Sequence, residues 1–279
     1  MQTDQNILAP ATTASRANVA DPSSQSLDVV VIATLRPALL ELTLHSFYKY
    51  FLSNFKTTRL ILNVDPIGEP NVRQLDLLAI ASRYADVVIS RTPDTPSFAK
   101  AVEWGWSQVS TPLFLHLEDD WLLTKPVQWD AVSERFTNKA SLASLRFNLT
   151  RNPNEDPPTH QGLSLNPCLW RTDFIRRILP HFDCSRDPEK QFRSSDGSAY
   201  PILSQWQFEY YGKPRERAYV IDTGKKWRRA HRLQKQTADR NMAAFWNQTA
   251  ASQPFITAFY DLKYRLFLMW WRLRVGYRP

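Results

Sequence analysis

Three acids in a row, Glu118-Asp119-Asp120, close an apolar run from Leu113 to Leu117 and are followed at once by Trp121. The run has the length of a short buried strand, and Thr111-Pro112 punctuates its start. Carboxylates crowded at the end of such a strand repel one another and lose hydration, so they require a cation or hydrogen-bond donors. In open α/β sheets, ligands bind beyond the carboxyl ends of the strands. A divalent ion carrying a phosphorylated ligand suits that place. The plainer role is an Asp that caps the following helix.

Other chemistries find little in the chain. The histidines, His45, His116, His160, His181 and His231, form no HExxH, and no Cys/His pairing has metal-ligand spacing. His116 alternates with Leu115 and Leu117, which places it on the other face of its strand. There is no GxSxG elbow for a serine hydrolase. With only seven glycines, the chain carries neither GxGxxG nor GxxxxGKS, which argues against a dinucleotide or P-loop fold.

The elements that must position the acids are legible in the first half. Leu27 to Thr34 is apolar on both faces, as in a central parallel strand. Pro37 suits a helix start, and Ala38 to Phe51 follows at helical spacing. Arg59 to Val64 is a second strand ending at Asp65, Val72 to Tyr84 an amphipathic helix, and Asp86 to Ser90 a third strand. Ser97 to Val109 reads as helix before the acid-tipped strand. Strand and helix alternate four times, which predicts a parallel α/β sheet. Beyond it come a proline-rich loop at Asn152 to Pro158, a helix at Thr172 to Leu179 and a strand at Tyr219 to Ile221. The last leads into the basic run Lys225-Lys226-Trp227-Arg228-Arg229.

The net charge of +8 and pI near 9.5 favour polyanionic partners. Cys168 and Cys184 lack zinc or redox spacing and read most simply as reduced thiols of a cytoplasmic protein, a single disulfide being the alternative. No signal peptide is visible, so the sequons at Asn148 and Asn247 carry little weight. Residues 1–26 read as a flexible tail, 27–230 as one domain, and 231–279 as a basic, aromatic helical extension. Within it, Leu266 to Trp271 is too short to span a bilayer. Its flanking Lys263, Arg265, Arg272 and Arg274 fit an interfacial helix on anionic lipid, or a helix packed on the domain with its charged stems outward.

The order of these features is similar to the GT-A glycosyltransferases, especially family 2-like enzymes of bacterial and phage genomes. The resemblance covers roughly residues 27 to 230. It rests on Ala33-Thr34-Leu35-Arg36-Pro37, on the strand ending at Asp65, and on Glu118-Asp119-Asp120, which looks like the family's DxD motif with Glu first. Leu165 to Arg171 resembles the acceptor-side segment, and Asp222 stands where such enzymes often place a metal-binding His.

The resemblance implies a mostly parallel α/β sheet flanked by helices and a nucleotide-sugar donor, a UDP-sugar foremost, held with Mn²⁺ or Mg²⁺. Thr34, Arg36 and Asp65 would line the nucleotide. Asp120, with Asp222, would hold the metal, and Glu118 or Asp119 would touch the ribose or sugar. Lys225, Arg228 and Arg229 would reach the diphosphate from a flexible segment closing over it. For an inverting transfer the base would be Glu189, placed by Pro188 at the start of a helix, with Asp187 next and Asp183 third.

Two acceptors suit such an enzyme. One is an envelope glycan or lipid-linked sugar, with the C-terminal helix touching membrane. The other is a hydroxymethylated DNA base of the phage type, the basic stretch and ten tryptophans then serving phosphate and base contacts. The rival classes are a nucleic-acid-binding protein without activity, which leaves the acids unexplained, and a degenerate GT-A domain.

Overall fold

The computed structural model describes residues 26–147, 163–192, 198–212, 216–236, 242, 245–248 and 254–277. The tail at 1–25 and the proline-rich loop therefore lie outside the described residues. Four β-strands alternate with three helices at the start: β1 (Ser26–Leu35), α1 (Pro37–Tyr50), β2 (Thr57–Gly68), α2 (Gln74–Ala81), β3 (Val87–Arg91), α3 (Phe98–Ser107) and β4 (Leu113–Glu118). Pro37 stands in the first turn of α1, where its missing N–H costs nothing, and the Ser97 side chain caps α3 by accepting from the Lys100 amide.

The second half continues with β5 (Trp121–Leu123), α4 (Trp129–Asn138), β6 (Leu142–Phe147), β7 (Cys168–Arg171), α5 (Thr172–Ile178), α6 (Tyr200–Leu203) and β8 (Gln207–Tyr211). Then come β9 (Val220–Asp222), α7 (Gly224–His231), the strands β10 (Leu233–Gln236) and β11 (Phe245–Gln248), and α8 (Pro254–Val275).

Seven strands form one sheet in the order β3-β2-β1-β4-β7-β6-β8. All pair in parallel except β7, which runs antiparallel to both β4 and β6. The parallel strands β1, β2 and β4 are buried on both faces, which is why they read as near-continuous apolar runs. One face carries a core built around Phe47, Phe51, Trp129 and Phe147 beneath α1, α2 and α4. The other packs Trp106, Trp170, Phe174 and Phe208 beneath α3 and α5. His116 faces this second core and accepts from Trp106 Nε1 at 3.3 Å.

Three features differ from the sequence reading. The reversed β7 is not visible in a pattern that carries no strand direction. The basic run 225–229 is helix α7 rather than a flexible strap. Its Trp227 is buried with Tyr264, Leu268 and Trp271 of α8 and with Leu39 and Leu42 of α1, which ties the helix down. Glu189 starts no long helix. Asp187 Oδ1 accepts from the amides of Glu189 and Lys190 at 3.0 Å and caps only the short 3-10 turn Lys190–Phe192.

Candidate functional site at the C-terminal edge of the sheet

The parallel register sets Glu118 beside Ile32 of β1 and Asp65 of β2 beside Thr34. The same edge therefore collects the ends of three strands. Asp119 leaves β4 and is drawn inward. Its Oδ2 accepts from the Thr34 amide at 3.0 Å, from Thr34 Oγ1 at 3.3 Å and from Arg36 Nε at 3.2 Å, and its Oδ1 takes Arg36 Nη2. Its backbone is fixed as well, the amide donating to the Ile32 carbonyl and the carbonyl accepting from Thr43 Oγ1. Asp119 is 1% exposed and Arg36 4%. Burial pushes the Asp119 carboxyl up, against the pull of Arg36 beside it. Burial likewise opposes the charge on Arg36, but Asp119 and Asp120 outweigh it and raise the guanidinium above its ordinary range, so it stays protonated. Arg36 also lies over the Trp227 ring at 5.1 Å.

Asp120 is also buried, at 5% exposed, and is less fully committed than Asp119. Among the described residues its two ion pairs run to Oδ2, from Arg36 Nη1 at 3.1 Å and from Arg228 Nη1 at 4.0 Å. Its carbonyl accepts from the amide and hydroxyl of Thr223, at 2.8 and 2.7 Å, which closes the small ribbon in which β5 pairs antiparallel with β9. The ribbon brings the start of α7 against the carboxylate. A Cβ on Gly224 would lie 1.9 Å from Asp120 Oδ2, so only a residue without one leaves room. The first-turn position also sets the carboxylate at the positive end of the helix dipole. Asp222, at the end of β9, is half-buried and accepts from the Gly224 amide through Oδ1 at 2.9 Å.

Along α7 the sequence candidates Lys225, Arg228 and Arg229 share one face at i, i+3 and i+4. Lys225 and Arg229 are exposed, and Arg228 is the one turned to Asp120. Glu118 closes β4 half-buried, near enough to act on the Arg36 charge. On the far side of β1, Asp65 is buried and takes Asn63 Nδ2 at 2.8 Å and the Ser97 amide at 3.1 Å, with burial raising its pKa.

Glu189 lies at the same edge. Because β7 is reversed, the residues before Cys168 continue past His116 toward Glu118, and Glu189 Oε1 accepts from the Leu165 amide at 2.7 Å and from Ser164 Oγ at 3.2 Å. Asp187 instead spends Oδ1 on its turn and Oδ2 on Lys190. Asp183 is exposed and bound to Ser185.

Three participants escaped the sequence reading. Gly224 carries no motif, although a lone glycine before a basic helix in so glycine-poor a chain is a signal. Trp227 was legible only as an aromatic among cations. Arg91, at the end of β3, donates Nε to Asn63 Oδ1 at 2.8 Å and stacks over Trp104, which extends the Asp65 cluster.

A mostly parallel α/β sheet flanked by helices is the architecture that the resemblance implies. The fold is GT-A-like. No family model matches the sequence, and no curated protein matches it. Solved structures similar to it include S. aureus TarS, at 12% identity and TM-score 0.48 over 70% of this chain and 36% of that one. Mannosyltransferase PcManGT from Pyrobaculum calidifontis, in complex with GDP-Man and Mn²⁺, is similar at 12% identity and TM-score 0.48, over 93% of this chain and 76% of that one. GalNAc-T7 with UDP, GalNAc and Mn²⁺ is similar at 10% identity and TM-score 0.47, over 70% and 43%. The chain spans 62% of the TarS 1–349 structure.

Proposed function

We propose that this chain is a glycosyltransferase that takes a sugar from a nucleotide-sugar donor, a UDP-sugar foremost, and passes it to an acceptor hydroxyl with inversion. The observation that carries this reading is Asp120, buried beside Arg36 and seated at the glycine-cleared start of α7 with Arg228 at 4.0 Å. A diphosphate fits between such a helix start and such a basic face, since the amides and the cations both favour an anion. Asp65 and Thr34 would border the nucleoside. Arg36 is better placed to fix the acids than to read the base.

The donor set for a divalent cation is lean. Asp119 has both oxygens committed to Arg36 and Thr34, so Asp120 and Asp222 would hold the metal, hard oxygen donors that phosphate oxygens would complete. Among the described residues no three His, Cys, Asp or Glu side chains gather into a metal cluster. When bound, Mn²⁺ or Mg²⁺ would screen charge on the departing diphosphate.

The chain's own residues supply the rest. Glu189 would accept the proton of the acceptor hydroxyl as its oxygen bonds the anomeric carbon. The bond from that carbon to the diphosphate oxygen breaks, and Arg228, Lys225 and the α7 start stabilise the charge left behind. Of the two acceptor classes, a hydroxymethylated DNA base and an envelope or lipid-linked glycan, the outer face of α8 favours the second.

A thermal-shift panel of nucleoside diphosphates and nucleotide sugars, with and without Mn²⁺, tests the donor site on wild type and Asp120→Asn. A ligand that binds only the native state raises Tm. The expected result is a metal-enhanced shift for one nucleotide that the variant loses. No shift with any nucleotide at millimolar concentration would sink the transferase reading in favour of a binding protein or an inactive domain.

A further inference from the structure

Helix α8 has two apolar faces, and the domain uses only one. Tyr264, Leu268, Trp271 and Val275 recur every three or four residues and are buried against α1, α7 and Leu122 of β5. The end of the helix is pinned to α1, because Lys49 Nζ and His45 Nε2 both reach the Val275 carbonyl, at 2.7 and 3.4 Å. The inner face explains why the helix is ordered on the domain. It leaves the outer face unexplained.

On that outer side stand Phe259, Leu262, Leu266, Met269, Trp270 and Leu273, each between 49% and 72% exposed. Their spacing is helical, so they line up as one stripe opposite the packed residues. Scattered exposed apolar residues need no account, but a contiguous stripe of six large ones does. The stripe is bordered by cations on both sides. With 3.6 residues per turn, Arg265 and Arg272 fall along one margin and Lys263 and Arg274 along the other. Arg274 lies over the Trp270 ring at 4.9 Å and Lys263 over Phe259 at 5.9 Å, so the aromatic and basic groups are interleaved. Among the described residues of α8, Asp261 is the lone acid, and Arg265 neutralises it at 2.8 Å.

We infer that the outer face of α8 docks flat on the surface of an anionic lipid bilayer. A large apolar stripe between two basic margins matches the acyl boundary beneath a layer of acidic headgroups. No helix among the described residues is long and apolar enough to cross a membrane, which leaves α8 lying in the interface. The charge pattern disfavours the other occupants. A second copy seated on the stripe would bring two sets of basic margins together in a chain of net charge +8. A nucleic acid would satisfy the margins but leave leucine and methionine against phosphate.

The surface is linked to the candidate donor site through α7. Trp227 packs between the inner face of α8 and the Arg36 guanidinium, and Lys226 Nζ lies 3.9 Å from the centre of the Phe267 ring. A bilayer against α8 would therefore be connected to Asp120 through α8 and the Trp227 side of α7. On the glycosyltransferase reading, that makes the acceptor a hydroxyl carried on a lipid or on a glycan at the membrane surface. The docking itself does not depend on that reading.

The test is sedimentation of the full chain with phosphatidylcholine vesicles, with and without phosphatidylglycerol, at low and high salt. The expected result is binding that requires the anionic lipid and weakens with salt. Leu266→Glu/Leu273→Glu and Lys263→Glu/Arg274→Glu should each weaken it by about tenfold or more. These residues lie outside the packed face, so an unchanged Tm in each variant shows that the fold survives. Donor binding is measured on the same preparations and should be equal in all. Failure of the wild type to bind anionic vesicles would overturn the docking, as would equal binding by the variants. So would a lipid-free dimer that the leucine variants dissociate, or DNA binding that abolishes vesicle binding. Vesicle binding without any donor binding would leave docking standing and sink the transferase reading alone.

Discussion

Replacing Gly224 by alanine adds one methyl group at the point where α7 meets Asp120. Its Cβ would lie 1.9 Å from Oδ2, 2.7 Å from Cγ and 3.2 Å from Cβ of the aspartate. Restoring an ordinary contact requires the carboxylate oxygen to retreat by about 1.5 Å. The backbone of Asp120 cannot follow, being held by both bonds from Thr223, so the side chain must rotate away from Arg36 Nη1. One charge-assisted bond in a buried setting is then lost, about 1.5–3 kcal/mol. Better helix propensity returns at most about 1 kcal/mol. The net loss of about 0.5–2 kcal/mol leaves a domain of ordinary stability folded. Function should suffer more, because a reacting group misplaced by about 1 Å can cost about 100-fold in rate. Urea denaturation and metal-dependent nucleotide binding, measured side by side, separate the two effects. In the Asp120→Asn background Gly224→Ala should add little further loss of binding, since the two changes act on one carboxylate. Nucleotide affinity in Gly224→Ala within about twofold of wild type would refute the idea that Asp120 must occupy this position.

Two further outcomes follow from the same geometry. Glu189→Gln keeps an oxygen for the Leu165 amide and Ser164, so donor binding and Tm should hold while kcat falls by about 100-fold or more; Asp187→Asn should change kcat little, and the reverse ranking in a steady-state transfer assay would reassign the base. Burial pulls His116 down to about 3, so the neutral ring contributes stability that is complete above pH 6.5 and drains away as pH falls toward 3. Between pH 6.5 and 5 that loss is about 2 kcal/mol, and denaturation curves of His116→Leu should be flatter across this window than those of wild type; parallel curves would show that the histidine does not titrate on unfolding.

The edge of the sheet was readable because strand ends are marked in sequence: Thr34, Asp65 and Glu118 each follow an apolar run. The roles within the acid triplet were not. Which acid is fully committed depends on Arg36, 83 positions from Asp119, which the sequence offers as a nucleotide-lining candidate and not as the acids' partner. Of the ribbon, β9 was read as a strand at Tyr219 to Ile221, but β5 and the pairing of the two were missed for a different reason. Strands of three residues carry no periodicity, and their pairing is non-local. The reversed β7 follows a proline-rich connection, and nothing in an apolar tetrad states its direction. The basic residues of α7 were found as a charge run, while the helix that orders them depends on the packing of Trp227 under α8.

The bond from Thr223 to the Asp120 carbonyl joins residues 103 positions apart. During synthesis, β1 to β4 emerge long before α7, so the acidic end of β4 must exist for a time without its later partner. Arg36 precedes the acids in the chain and is already present when they arrive. A nascent sheet can thus close around the Arg36–Asp119 ion pair with no metal and no C-terminal helix at hand, an order that suits domains built up from their N-terminal end. The arginine that looks like part of a binding site would then serve first as an internal counterion for folding, and α7 would complete the site as its last and most easily lost piece.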